Sequence, residues 1–145
     1  MVRFCVERPR QRAALLLAAS LAAGTAMAQD SDVSVEINKL EPQDKGCRTY
    51  VVVGNSSAIA YQSLKLDLVV FGTDGVIAKR IALDLAPLKA AKRSVKLFDL
   101  ESIACDGVGS LLVNDVLDCR TEAGPASDCL ARLKLSSLTK AQITK

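Results

Sequence analysis

Histidine and tryptophan are absent from this chain of 145 residues, and aromatic residues make up 3% of it. Without histidine there is no Ser-His-Asp or Cys-His catalyst. Zinc sites assembled from close Cys and His pairs are excluded on the same ground, since no two cysteines stand as C-x-x-C. That spacing also argues against a thioredoxin-like redox pair. Both methionines, Met1 and Met27, fall in the first 28 residues, so the rest of the chain lacks the soft ligands of a copper carrier. No cofactor is expected, and the sequence predicts no enzyme.

The opening segment reads as a leader. "MVRFCVERPRQR" carries Arg3, Arg8, Arg10 and Arg12 against Glu7, followed by the uncharged "AALLLAASLAAGTA" and a small-x-small "AMA" before Gln29. This is the three-part secretory signal, and its apolar run is shorter than the ~20 residues of a membrane span. "LAAG" places Gly24 where a lipidated cysteine would stand, so no lipid anchor is expected, and the arginines form no twin pair. A short Ala-rich leader of this type predicts a bacterial periplasmic protein with a signal at 1–28 and one domain at 29–145.

Setting the leader aside changes the charge. Nineteen basic and sixteen acidic residues become fifteen and fifteen once four arginines and one glutamate are removed. A nucleic-acid binder needs a basic face, and a neutral chain has none to spare, so no nucleic-acid partner is expected.

Strand signals follow one another from Val33. "DVSVEINKL" alternates Val33, Val35 and Ile37 with polar residues, and "RTYVVVGN" is short and β-branched. In "SLKLDLVVFG", Leu64, Leu66, Leu68 and Val70 face one way and Lys65 and Asp67 the other. "TDG" makes a hairpin turn in which Gly75 takes the left-handed conformation. In "VIAKRIALDL", Ile77, Ile81, Leu83 and Leu85 share a face, and Pro87 ends the strand. "KRSVKLFDL" alternates Val95 and Leu97 against Lys96 and Phe98; "ESIACDGVG" connects, with room for a helical turn; "SLLVNDVLDC" is the next strand. "SDCLARL" reads as one short helix capped by Ser127, "LKLSSLTK" as a last weak strand, and 139–145 as a frayed tail. About seven short strands without a long amphipathic helix predict an all-β, antiparallel β-sandwich with a short C-terminal helical turn, a small barrel being the alternative.

The stretch from Val51 to Leu100 resembles the small immunoglobulin-like modules of bacterial envelope proteins, through the Asn55-Ser56 turn, the Leu64/Leu66/Leu68 strand, Phe71 and the Asp74-Gly75 hairpin. The chain beyond the leader also resembles an uncharacterised family of short exported α-proteobacterial proteins. The motifs are "NKLEP", "LDLVVF", "DGVIAKR", "DLAPL", "VKLFD" and "NDVLDC". The resemblance implies an immunoglobulin-like sandwich and no catalytic residues.

Cys5 leaves with the leader. Cys47, Cys105, Cys119 and Cys129 remain, an even number in an oxidising compartment, which predicts two structural disulfides. Of the three possible pairings, strand order favours Cys47–Cys105. In a Greek-key sandwich the second and sixth strands lie in facing sheets and run the same way, so the two cysteines meet at one end. Cys119–Cys129 then straps the loop 120–128 around Gly124-Pro125.

Other polar clusters carry weaker signals. Asn114, Asp115 and Asp118 offer two or three oxygens, short of the six to eight that calcium takes. "NSS" at 55–57 fits a glycosylation sequon and reads as a turn. The basic run Lys89, Lys92, Arg93 and Lys96 reads as the solvated face of an edge strand, where lysine discourages pairing. The function expected is a non-catalytic binding or adapter module whose partner is another envelope protein. The alternative is an inhibitor or regulator presenting the strapped loop 120–128, which would lose less entropy on binding than a free loop. An enzyme working through carboxylates alone has no spacing in its favour.

Overall fold

The computed structural model describes residues 32–145, so the segment 1–28, expected above to be a leader, lies outside the described residues. Among the described residues, nine strands form two sheets packed face to face. The first sheet contains β1 (Val33–Gln43), β2 (Gly46–Asn55), β5 (Lys92–Glu101) and β8 (Leu133–Ser137), in the order β5-β2-β1-β8. The second contains β3 (Tyr61–Gly72), β4 (Ile77–Asp84), β6 (Val108–Thr121), β7 (Gly124–Pro125) and β9 (Gln142–Thr144). Here the order is β4-β3-β6, with β9 and β7 pairing different ends of β6. The expected sandwich is thus present, with nine strands rather than about seven. Two of its pairings, β1 with β8 and β6 with β9, are parallel, which the antiparallel expectation did not include.

Alternation builds the core. Val33, Val35 and Ile37 of β1, Val51 and Val53 of β2, and Leu64, Leu66, Leu68 and Val70 of β3 are all buried. Burying a side chain of this size contributes roughly 1.5–3 kcal/mol. A bulge between Ile37 and Lys39 interrupts β1. The extra residue switches parity, so that Leu40, opposite Thr49, packs on the same core as the odd-numbered residues before it.

The same device occurs three times in β6, first where Phe71 and Gly72 face Ser110 and Val108, so that Gly109 is passed over. Leu68, Leu66 and Leu64 face Val113, Val116 and Cys119, so Asn114 and Leu117 are each passed over in the register. Each insertion resets the inward face. Leu117 is consequently 53% exposed, and Cys119 turns toward the core.

Turn chemistry matches the sequence in the β3–β4 hairpin. Gly75 has φ 79° and donates its N–H to the Gly72 carbonyl at 2.9 Å, while the Asp74 carboxylate accepts from the Val76 N–H at 3.0 Å. Gly46, at φ 152°, sits where β2 passes β5, and a Cβ there would drive into the Leu100 carbonyl oxygen. Only glycine allows that approach, and it sets the position of Cys47 beside it. Asn55 closes β2 as expected of a turn residue. It is buried, donates to the Ile59 and Lys89 carbonyls at 2.8 and 3.1 Å, and accepts from the Ser57 N–H and hydroxyl.

Three expectations are corrected. Residues 127–133 form no helix: Asp128 takes φ 58°, the Arg132 N–H reaches the Asp128 carbonyl at 3.2 Å, and β8 begins at Leu133. The segment must turn Cys129 inward and then enter a sheet at once, which leaves no length for a helix. The helical turn that does occur is the 3-10 turn Cys105–Gly107 in the connector before β6. The tail 139–145 is not frayed, because it crosses to the second sheet, where Ala141 and Ile143 are buried and β9 pairs with β6. The Lys145 ammonium donates to the carbonyls of Leu130, Ala131 and Leu133 at 2.9, 3.0 and 2.7 Å. In β4, Ile77 does not share the buried face: it is exposed near the hairpin tip, while Leu83 and Leu85 are buried.

Candidate partner-binding surface

All four predicted cysteines are in disulfides, Cys47–Cys105 and Cys119–Cys129, with Cα atoms 4.8 and 6.6 Å apart. The first links β2 of one sheet to the 3-10 turn that leads into β6 of the other, so it ties the sheets together at one end. The second joins the inward-turned Cys119 to the turn before β8 and encloses a hairpin in which Ala126 donates to the Cys119 carbonyl at 3.0 Å. Loop 120–128 is therefore pinned by a bridge, by β7 and by Thr121, whose hydroxyl reaches the Gly124 carbonyl at 3.3 Å.

The polar clusters singled out in the sequence resolve into separate structural roles. Asn114 donates to Asp67 at 2.7 Å; Asp118 accepts from the Ser63 hydroxyl at 2.7 Å and from Arg120 at 3.0 Å; Asp115 accepts from the Val116 N–H. They do not converge, and no group of three or more metal-ligating side chains is found among the described residues. The Ser63 hydrogen bond, aided by Arg120, lowers the Asp118 pKa below the usual carboxylate range.

Asp67 carries more than the outward-facing polar position the alternation predicts. It is 3% exposed, on the outer side of β3, beneath an Arg80 side chain that is largely in solvent. Arg80 donates twice, at 2.7 and 2.6 Å, and the Asn114 amide once. The Arg80 bonds, with the Asn114 bond second, hold the carboxyl below its ordinary pKa. Every contact of this acid is internal, which suits a lock joining β3, β4 and β6 rather than a reactive group.

A cleft of about 660 Å³ opens at the Cys105 end between Leu40, Thr73, Val108, Gly109 and Thr139. Lys39 and Asp106 are on its wall, but Lys39 is paired with Glu41 at 2.7 Å, and no buried unpaired polar side chain points into the cleft.

The surface that stands out lies on β5. This strand is an edge of the first sheet, as the basic run suggested, with only β2 beside it. The register with β2 places Cys47 opposite Leu100, so Ser94, Lys96, Phe98 and Leu100 point toward the core. Arg93, Val95, Leu97 and Asp99 point outward. The alternation in the sequence is present, but the aliphatic pair lies on the wet side: Val95 is 60% and Leu97 54% exposed. Leu100 and Phe98 set that parity, since one strand face cannot hold both sets.

Val95 and Leu97 are opposite Val52 and Tyr50 of β2, both half-buried. Charge frames the strip. Arg93 stands at one end; at the other, Arg48 grips Asp99 through two bonds of 2.8 and 3.0 Å and depresses the carboxyl pKa. Tyr50 donates to Glu41 at 2.6 Å, and the Lys39 ammonium lies 5.2 Å from its ring centroid. Apolar strips with polar rims on an unpaired edge are the usual form of an interaction site.

Lysine guards the interior side of the same edge. The Lys96 ammonium turns across to the Ala86 carbonyl, and Lys79 of β4 reaches the Glu101 carbonyl, each at 3.4 Å. The Lys79 bond thus spans the two edge strands, and the Lys96 bond ties β5 to the segment that follows β4. Lys96 is thereby drawn away from the outward strip, and its charge does not interrupt Val95 and Leu97.

No helix among the described residues is long and apolar enough to cross a membrane. Comparison of the chain with family models, with curated proteins and with solved structures finds no match.

Proposed function

We propose that this protein is a non-catalytic interaction module of the periplasm that holds a partner through the β5 edge and the outward strip beside it. The observation that carries the reading is the exposure of Val95 and Leu97 on an edge strand with no neighbour on its second side. Leaving two aliphatic side chains in water forgoes burial of roughly 25 cal/mol per Å2, and a partner strand recovers it together with main-chain hydrogen bonds. Export is supported by the leader at 1–28 and by the two bridges, which persist in an oxidising compartment. The resemblance to immunoglobulin-like envelope modules points the same way. The alternative role, an inhibitor acting through 120–128, has in its favour the pinned hairpin and the exposed Leu117 next to it.

A photo-crosslinking amino acid at position 97, introduced in cells and followed by mass spectrometry, tests the site. A protein adduct at 97 that is missing from a probe at Lys65, exposed on the second sheet, is the expected result. Adducts at 117 but none at 97 would move the site to the strapped loop.

A further inference from the structure

We infer that the occupant of the β5 edge is a second copy of this chain, paired antiparallel about a two-fold axis through Leu97. The inference rests on the reading of β5 as the binding surface and adds the identity of the partner.

The argument is charge complementarity along the strand. Two copies of one strand pair antiparallel so that facing residue numbers add to a constant, and outward residues meet outward residues. With Leu97 opposite its own copy, Arg93 faces Glu101 at both ends of the contact. Val95 faces Asp99, which Arg48 already neutralises, and Lys96 faces Phe98 on the inner side. No like charges meet. Moving the axis to Lys96 also finds a carboxylate for Arg93, now Asp99, but sets Lys96 directly opposite its own copy, and like-charged residues at facing positions are destabilising. An axis on Val95 sets Arg93 against Leu97, and an axis on Phe98 sets Val95 against Glu101. The Leu97 register alone among these gives Arg93 an acid partner without a like-charge contact.

The side chains concerned are available. Arg93 and Glu101 have no side-chain hydrogen bond or ion pair among the described residues, and both are exposed. Lys92, at the strand end, falls opposite Ser102. The product is a continuous eight-stranded sheet in which the Val95–Leu97 strips of both copies join.

Sedimentation of the disulfide-bonded protein, residues 29–145, across a concentration series should show a concentration-dependent doubling of mass. Leu97→Cys should oxidise to a covalent dimer, because facing Cα atoms in such a ladder are ~4.5–5.5 Å apart, whereas Val95→Cys should not. Arg93→Glu and Glu101→Arg should each weaken self-association about tenfold or more, two symmetric cross-strand contacts being reversed at once. Mixing these two variants should restore association, since each then supplies what the other lacks. A monomer at every concentration, with crosslinks from position 97 to a different protein, would overturn the inference and leave the β5 reading standing. A monomer with no crosslink at 97 would remove both. Association unaffected by either charge reversal would overturn the register and the inference with it.

Discussion

Replacing Cys47 and Cys105 together by alanine opens the bridge that ties the two sheets, and its cost follows from the chain it encloses. The bridged residues are 58 apart in sequence, against 10 for Cys119 and Cys129. Loop-closure entropy assigns about 4 kcal/mol to the long loop and about 3 kcal/mol to the short one. The long bridge also loses packing, because Cys47 is fully buried opposite Leu100. The two loops do not overlap, so the costs should add, to about 7 kcal/mol for all four substitutions. A domain of this size holds about 5–15 kcal/mol in total, so the four-alanine form should sit near or past its folding limit. Urea unfolding of the wild type and the two double variants measures the difference, and m should rise in each variant as the unfolded chain is freed. A short-loop variant that loses as much as the long-loop variant would refute the entropic account.

Leu66→Ala should cost about 2–5 kcal/mol, as for a leucine removed from a packed core, while Lys65→Ala on the outer face of the same strand should stay within about 0.5 kcal/mol; denaturant midpoints decide, and reversed costs would mean the register of β3 is wrong. The Thr49 hydroxyl is buried without a hydrogen-bond partner, so Thr49→Val should stabilise by about 1 kcal/mol, and a loss on thermal unfolding would show that the hydroxyl is satisfied. Asn55→Ala should cost about 1–3 kcal/mol, since it strips the Asn55 donor from the Lys89 carbonyl and leaves the Ile59 carbonyl with the Ser57 hydroxyl alone, readable in the same scan. Glu41, Asp67, Asp99 and Asp118 all have pKa values lowered in the folded protein by donors named above. A lowered carboxylate adds stability above its unfolded value and loses it as the folded group protonates, so stability should fall as pH drops below about 4; a flat acid limb would show that these pairs contribute nothing.

Composition and short-range pattern by themselves determined a great deal here. The absence of histidine removed whole classes of catalyst, and the even cysteine count beyond residue 28 led to two bridges with the pairing found in the structure. Strand existence from β1 to β6 was legible because period two and turn residues are local signals that no partner is needed to read. Parity was not. The insertions at Asn114 and Leu117 exist only relative to β3, so "SLLVNDVLDC" shows a strand but not which of its residues face the core. The outward placement of Val95 and Leu97 was likewise decided across the sheet, by Leu100 packing opposite Cys47. Asp67 reads as an ordinary exposed acid until β4 brings Arg80 over it. The tail reads as frayed because three residues of β9 carry too little pattern, and parallel pairing with β6 needs no adjoining turn to announce it. Each of these features depends on residues far apart in the chain meeting at one register, and such meetings are set by tertiary packing rather than by any stretch of sequence alone.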